Sequence, residues 1–387
     1  MKKTMTLIIA AALGMSVLAG CQGTSDTASS VSSSASTSEE SSSTSSSSSA
    51  STVSSSSEEE QLDYIDGDFT FDECIELPKY KGLKLEKDVT KVTDGMVRAQ
   101  YASLMSDEME EVTDSNAKVE YGDQVTMDYE CKFGDGEYGD PQGTDYAVIV
   151  GSNTTIAGFE DGLVGHKNGE EVYLDLTFPD NYTEEYAGKD VTFHITITKI
   201  ERTADPTDEW VNTYTNGEYT TVKDYDKYLK EDLEESYEAS AKSTMESTAW
   251  SEVYDNVKFK ALPQEYVDEG KSTMESQVQS MMESYGIESI DDFLEQSGMS
   301  QDDYDSMIKS NSESYAKSKL VVNAIWDKEK MSEDDDLYKN VLEELVKNQD
   351  TTEDELIENY GEDTVKDYCR QYAVINFIIE NADVTEV

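Results

Sequence analysis

IAGFEDGLVGHKNGEE, residues 156–171, reads as a turn, a short acidic helix start and a second turn, with an apolar residue at each end of its first half. Gly158, Gly162, Gly165 and Gly169 punctuate it, and glycine takes up tight or left-handed backbone without steric cost. On both sides the pattern changes to a period of two. Segments 123–132 (DQVTMDYECK), 145–150 (DYAVIV), 171–178 (EVYLDLTF) and 190–200 (DVTFHITITKI) alternate between Gly-rich turns, as half-buried strands do. In the last of them Val191, Phe193, Ile195 and Ile197 share one face, and Thr192, His194, Thr196 and Thr198 the other. Residues 117–202 therefore form one small antiparallel sheet domain with a single short helix. His194 falls on its outward face and His166 in an exposed turn, so neither is placed as a catalyst.

Beyond this domain the period changes again. From Asp205 to the end only Pro206 and Pro263 interrupt the chain, and residues 222–257 carry Val222, Tyr225, Leu229, Leu233, Tyr237, Ala241, Met245, Ala249 and Val253 mainly four apart. That spacing predicts a long amphipathic helix. Leu262-Pro263 opens another, carrying Val267, Met274, Val278, Met281 and Met282, and further helices are expected near 290–295, 301–330, 334–347, 353–359 and 362–380. Ahead of the sheet domain Leu83, Leu85 and Val89 suggest a strand. Asp94 reads as an N-cap before Met96, Val97, Tyr101, Leu104 and Met105 at helical spacing. The class is α+β: a sheet domain at 117–202, an all-helical domain at 203–387, and a strand and helix at 62–116 that link to it.

The 387 residues exceed one ordinary core, so more than one folded unit is expected. With 84 acidic against 30 basic residues the formal net charge is −54. Nucleic acid, which attracts Lys and Arg patches, is thereby excluded as a partner, and cationic partners would be attracted. At the N-terminus Lys2 and Lys3 precede an apolar run from Leu7 to Leu18, which ends in Leu18-Ala19-Gly20-Cys21. This resembles the bacterial lipobox. Residues 1–21 are accordingly expected to be a lipoprotein signal peptide, with Cys21 the lipid attachment site on the outer face of the bacterial cell membrane. Residues 22–61, dominated by Ser, form a disordered tether with a reach of roughly 35 Å. Cys74, Cys131 and Cys369 show no CxxC spacing, which leaves a Cys74–Cys131 pairing open and argues against a zinc or redox site. With two histidines and no nucleotide motif, neither a metal nor another cofactor is expected.

The sheet domain resembles the FKBP-type peptidyl-prolyl cis-trans isomerases. The pieces appear in family order: Gly122-Asp123-Gln124-Val125 leading to Asp128-Tyr129, then Asp135-Gly136-Glu137-Tyr138, then Ile156 to Gly162, Gly169-Glu170-Glu171, Phe178-Pro179 and Val191-Thr192-Phe193. The resemblance implies an antiparallel half-barrel whose pocket twists an X-Pro amide. That reaction works against a barrier of about 18–20 kcal/mol and needs no nucleophile and no proton transfer. An apolar aromatic pocket suffices, because the twisted amide has less charge separation and loses less on leaving water. By resemblance the turn offers the Ile156 N–H to the client carbonyl and places Phe159 at the floor. Tyr129, Tyr138, Tyr146 and Phe193 would form the walls and Tyr182 or Tyr186 the rim. Two departures, Gly139 where many small members carry an acidic residue and the short NYTEEYAGKD loop at 181–190, are those of trigger factor isomerase domains.

The flanks are similar to the trigger factor family as well. They are Glu76-Leu77-Pro78 with Tyr80-Lys81-Gly82-Leu83-Lys84-Leu85-Glu86-Lys87, then Asp208-Glu209-Trp210-Val211, Leu262-Pro263, Asp291-Asp292-Phe293-Leu294 and Ala324-Ile325-Trp326-Asp327-Lys328-Glu329. The ribosome-docking domain of that family is replaced here by the lipobox and tether, so no ribosome partner is expected. The resemblance implies a membrane-tethered foldase for unfolded exported chains containing X-Pro bonds. Its alternative is an isomerase-inactive holdase. A transporter's solute-binding lipoprotein would need alternating β-α units in two lobes, and one β block followed by helices does not supply them.

Overall fold

A computed structural model of the chain describes residues 62–179, 182–183 and 185–387. The expected signal peptide, Cys21 and tether, residues 1–61, lie outside them. In chain order the first elements are β1 (Asp63–Ile65), α1 (Phe71–Cys74), β2 (Ile75–Glu76), β3 (Lys84–Lys87), α2 (Asp94–Leu104) and β4 (Glu110–Glu111). The sheet domain follows with β5 (Gln124–Lys132), β6 (Gly139–Ile149), α3 (Phe159–Leu163), β7 (Glu171–Thr177) and β8 (Asp190–Arg202). Then come α4 (Asp208–Tyr214), α5 (Val222–Tyr254), β9 (Lys258–Phe259), β10 (Ala261–Pro263), α6 (Gln264–Tyr285) and α7 (Ile290–Ser297). The last are α8 (Gln301–Glu329), α9 (Asp336–Asn348), α10 (Glu353–Tyr360), α11 (Glu362–Glu380) and β11 (Asp383–Glu386).

The chain forms two compact units, and the division falls inside α5, at Ser243–Thr244. One unit holds residues 87–243. Its sheet runs β4-β8-β5-β6, with β7 on β8 as well. The expected alternation of β8 holds from Val191 to Ile197, each inward residue being buried. It then slips: Met127 pairs with Ile197 but Thr126 with Lys199, so Thr198 is a bulge and Ile200 turns inward out of phase. The Thr198 hydroxyl donates to the Thr126 carbonyl at 3.0 Å and fixes the bulge. In the same unit Val97 and Tyr101 of α2 pack with Val211 of α4 and Tyr225, Leu229 and Leu233 of α5. The N-cap of α2 is Thr93 and not Asp94, for its hydroxyl accepts the Met96 N–H and Asp94 is already helical.

The other unit holds residues 62–86 and 244–385. Its main core gathers Cys74, Ile75, Tyr80 and Leu85 with Ala249 and Val253 of α5, Leu320 to Val322 of α8 and Val374 and Ile378 of α11. A second core joins α9, α10 and α11 through Val341, Leu345, Leu356, Val365 and Cys369. Three strand pairs tie the early segment to late ones: β1 with β10, β2 with β9 and β3 with β11. Leu262-Pro263 belongs to β10, and α6 begins only at Gln264, because proline supplies no N–H and is extended here.

A half-buried ion cluster joins α6, α8 and α11. The Lys319 ammonium lies 2.6 Å from Glu269 and 2.7 Å from Asp367, and the Tyr315 hydroxyl donates to Glu269 at 2.9 Å. Gly270 is required beside it, since a Cβ there would come within 2.9 Å of the Ser312 carbonyl and of the Tyr315 ring. Cys74, Cys131 and Cys369 are buried and free, so the Cys74–Cys131 pairing left open by the sequence is absent. Among the described residues no helix is long and apolar enough to cross a membrane.

Candidate functional site

The turn at 156–159 sits between two devices that the sequence builds locally. Gly158 is left-handed, at φ 85°, and starts α3; a Cβ on it would also press into Leu176. Phe159 follows at once and is driven into the sheet core, 4% exposed. On β5, Asp128 and Tyr129 divide the labour. The Asp128 carboxylate accepts the Asp145 N–H at 2.9 Å, holding a left-handed residue at a break in the β5–β6 register. Tyr129 sends its ring inward across Gly143, where an added Cβ would lie 2.6 Å from the ring.

The rings that result form one assembly. Phe159 meets Phe193 edge to face at 5.1 Å, Tyr129 lies 6.1 Å from Phe193 and 6.5 Å from Phe159, and Tyr146 is 5.6 Å from Tyr129. Edge-to-face packing is the arrangement ring quadrupoles prefer. Phe178 extends the assembly, 6.1 Å from Phe193, and carries Tyr182 at 4.8 Å and Tyr186 at 5.5 Å. Phe133 stacks on Tyr186 at 5.7 Å. Of the rim candidates, Tyr182 is 45% exposed and Tyr186 is packed between Phe133 and Phe178. Ile156 is half-buried against the same core, and its N–H finds no acceptor among the described residues.

Seven of the eight site residues read from the sequence therefore gather around this cluster. Tyr138 does not. It lies 5.6 Å from His194, which is on the opposite face of β8 from Phe193. Tyr138 lies in the turn just before β6, over the outward side chains of Lys132 and His194, and β6 begins with a two-residue register shift against β5 between Glu130 and Cys131. The outer face has its own packing: His194 stacks on Tyr173 at 4.5 Å and its Nδ1 is 2.9 Å from Glu130. His166 is half-buried and paired with Glu170 at 3.0 Å, not freely exposed. Phe133 and Phe178 were missed as lining residues; Phe178-Pro179 was visible only as a motif, and its inward direction follows from the strand end.

Burial, with Cys131, Tyr146 and Tyr182 nearby, raises the Tyr129 phenol above its usual range. Burial, with Glu160 and Tyr182 nearby, does the same to Tyr146. Burial pushes the Cys131 thiol up to about 12. All three groups stay protonated well past neutrality, so the assembly is an uncharged apolar surface with phenol donors at its edge. The prolyl isomerisation that the family resemblance implies is expected to be nearly independent of pH between about 5.5 and 8.5, since no proton moves. The double variant His166→Ala/His194→Ala should retain the wild-type rate. A bell-shaped profile in a coupled isomerisation assay, or an inactive but folded double variant, would contradict this.

The comparisons with known proteins converge on this architecture. Residues 115–198 match the family described as FKBP-type peptidyl-prolyl cis-trans isomerase, and residues 221–380 match the bacterial trigger factor protein C-terminus. The trigger factor of Halothermothrix orenii is 32% identical over 276 residues, 70% of this chain and 63% of that protein. That of Staphylococcus saprophyticus is 27% identical over 316 residues, 81% of this chain and 72% of its own length. That of Bacillus licheniformis is 29% identical over 312 residues, 79% and 73% respectively. The chain thus spans less than two thirds of the Halothermothrix protein. Both family matches stand in the order of trigger factor, on a sheet domain followed by helices, and over that span the chain is similar to trigger factors.

Proposed function

We propose that the protein is a peptidyl-prolyl cis-trans isomerase and chaperone for exported chains. The observation that carries the reading is the ring assembly of Tyr129, Phe159 and Phe193 beside an Ile156 N–H that has no acceptor among the described residues. A prolyl ring seated on Phe159 and Phe193 leaves water, the carbonyl beside it takes the Ile156 N–H, and the twisted amide gains more than the planar one. Tyr146 and Tyr182 supply phenol donors at the edge. A protease-coupled isomerisation assay on a prolyl peptide tests it. An inactive wild type would move the reading to a holdase, which the displacement of Tyr138 from the pocket already favours.

Client holding is assigned to the helical region. At the end of α6 Met281 is 40% and Tyr285 77% exposed, and α7 buries none of its residues. Methionine and tyrosine adapt to varied apolar segments. The exported location is the reading of the Leu18-Ala19-Gly20-Cys21 motif alone. Cys21→Ala is expected to stop lipidation and shift the protein from the membrane to the soluble fraction in cell fractionation. A variant that is still acylated and sediments with membranes would end that part of the proposal.

A further inference from the structure

The residue after Phe159 is a glutamate, and it is buried, 6% exposed, although a carboxylate is costly to bury unless its charge is met by hydrogen bonds. Here the loop before the turn wraps around it. Glu160 Oε2 accepts the N–H groups of Gly151 at 2.8 Å and Asn153 at 3.0 Å. Its Oε1 accepts those of Thr154 at 2.9 Å and Thr155 at 3.2 Å. The hydroxyls of Ser152 and Thr155 add bonds at 3.2 and 3.1 Å. Two of the residues so held, Gly151 and Asn153, are left-handed, at φ 94° and 56°, conformations a free loop would not keep for asparagine. Bonds from N–H groups to a charged acceptor are the stronger kind, and four of them converge on one side chain.

Sequence adjacency turns this into a functional statement. The last N–H that Glu160 holds belongs to Thr155, and the next N–H in the chain is that of Ile156. On its other side Glu160 is bonded directly to Phe159. One carboxylate therefore fixes both the donor and the floor of the prolyl pocket. We infer that Glu160 is a positioning residue for prolyl isomerisation, setting the direction of the Ile156 N–H through the loop 151–155. The inference rests on the isomerase reading above. Glutamine has the same shape, but its amide nitrogen cannot accept, so one pair of loop N–H groups would face a donor.

The test is Glu160→Gln in the full chain, beside Glu160→Asp, which keeps the charge and loses the reach. Hydrogen exchange of the 151–155 amides should lose protection in both, while the β5 and β8 amides keep theirs. The Ile156 amide resonance should shift when a prolyl peptide is added to wild type, and shift little in the glutamine variant. By the sensitivity of catalysis to misplacement of about 1 Å, kcat/KM should fall by about ten- to a hundredfold in Glu160→Gln. A variant with intact strands, a deprotected loop and the wild-type rate would overturn the assignment. So would a loop that stays protected without the carboxylate. Should the glutamine variant fail to fold, the aspartate variant decides by the same two readings. A wild type with no isomerase activity would instead remove the isomerase reading itself, an outcome distinct from an active wild type with an equally active Glu160→Gln.

Discussion

Replacing Phe159 or Phe193 by alanine will lower kcat/KM for prolyl isomerisation by about two orders of magnitude, equivalent to about 2.7 kcal/mol at the transition state. In the proposed reaction each ring supplies apolar surface on which the twisted amide gains, and the two touch, so either loss also loosens the other. Both are core residues, and a buried Phe→Ala change costs about 3–5 kcal/mol of stability. Leucine variants separate the two effects, because they fill most of the volume and lack the ring. Phe159→Leu should fold, melt within a few degrees of wild type, and still lose more activity than Tyr129→Phe, which keeps its ring. A folded Phe159→Leu protein at the wild-type rate would show that the rings are only core.

The second large effect concerns stability and lies in the helical unit. Lys319→Ala should destabilise it by about 1–3 kcal/mol, since it leaves the Asp367 carboxylate, 11% exposed, without its cation, while Glu269, 38% exposed, can turn to water. Urea denaturation followed by helical circular dichroism reads the loss; Lys319→Met, refilling the volume without the charge, should not restore it. The same cluster sets a pH dependence. Burial alone would lower the Lys319 pKa, but the bonds to Asp367 and Glu269 outweigh it and the net direction is upward from 10.5. A raised lysine pKa stabilises the fold fully below the unfolded value of about 10.4, and that contribution disappears as pH rises through the folded value. The unit should therefore weaken in strongly alkaline solution and be indifferent to this group near neutrality. An alanine variant as stable as wild type would mean that the charges are solvated in the folded state.

Where burial repeats with a simple period, the sequence was readable to within a few residues. The α5 stripe from Tyr225 to Val253 and the inward face of β8 are such cases, because a helix face and a strand face each leave one periodicity. The turn at 156–159 was readable for another reason: Gly158 needs left-handed backbone, and few residues can replace it there. Register was not readable. The two-residue shift beside Glu130, just after Tyr138, and the bulge at Thr198 depend on how two distant strands meet, which neither strand encodes alone. Charge drawn in from solvent was equally silent. Glu160 and Lys319 look like surface residues in a chain this acidic, and only the partners that surround them explain their place.

The pairing of β1, β2 and β3 with β10, β9 and β11 carries a consequence for the order in which the chain can assemble. Residues 62–86 emerge early, yet each of their strand partners comes after Tyr254, and the partner of β3 is the last strand described. The sheet domain between them is contiguous and can close once Arg202 is available. During synthesis the early segment must wait, its backbone donors unpaired, until residues 383–386 arrive. Non-local pairing of this kind is slow, because the loop must close before any contact rewards it. The sheet domain thus matures first, and the helical unit is completed by the final stretch of chain.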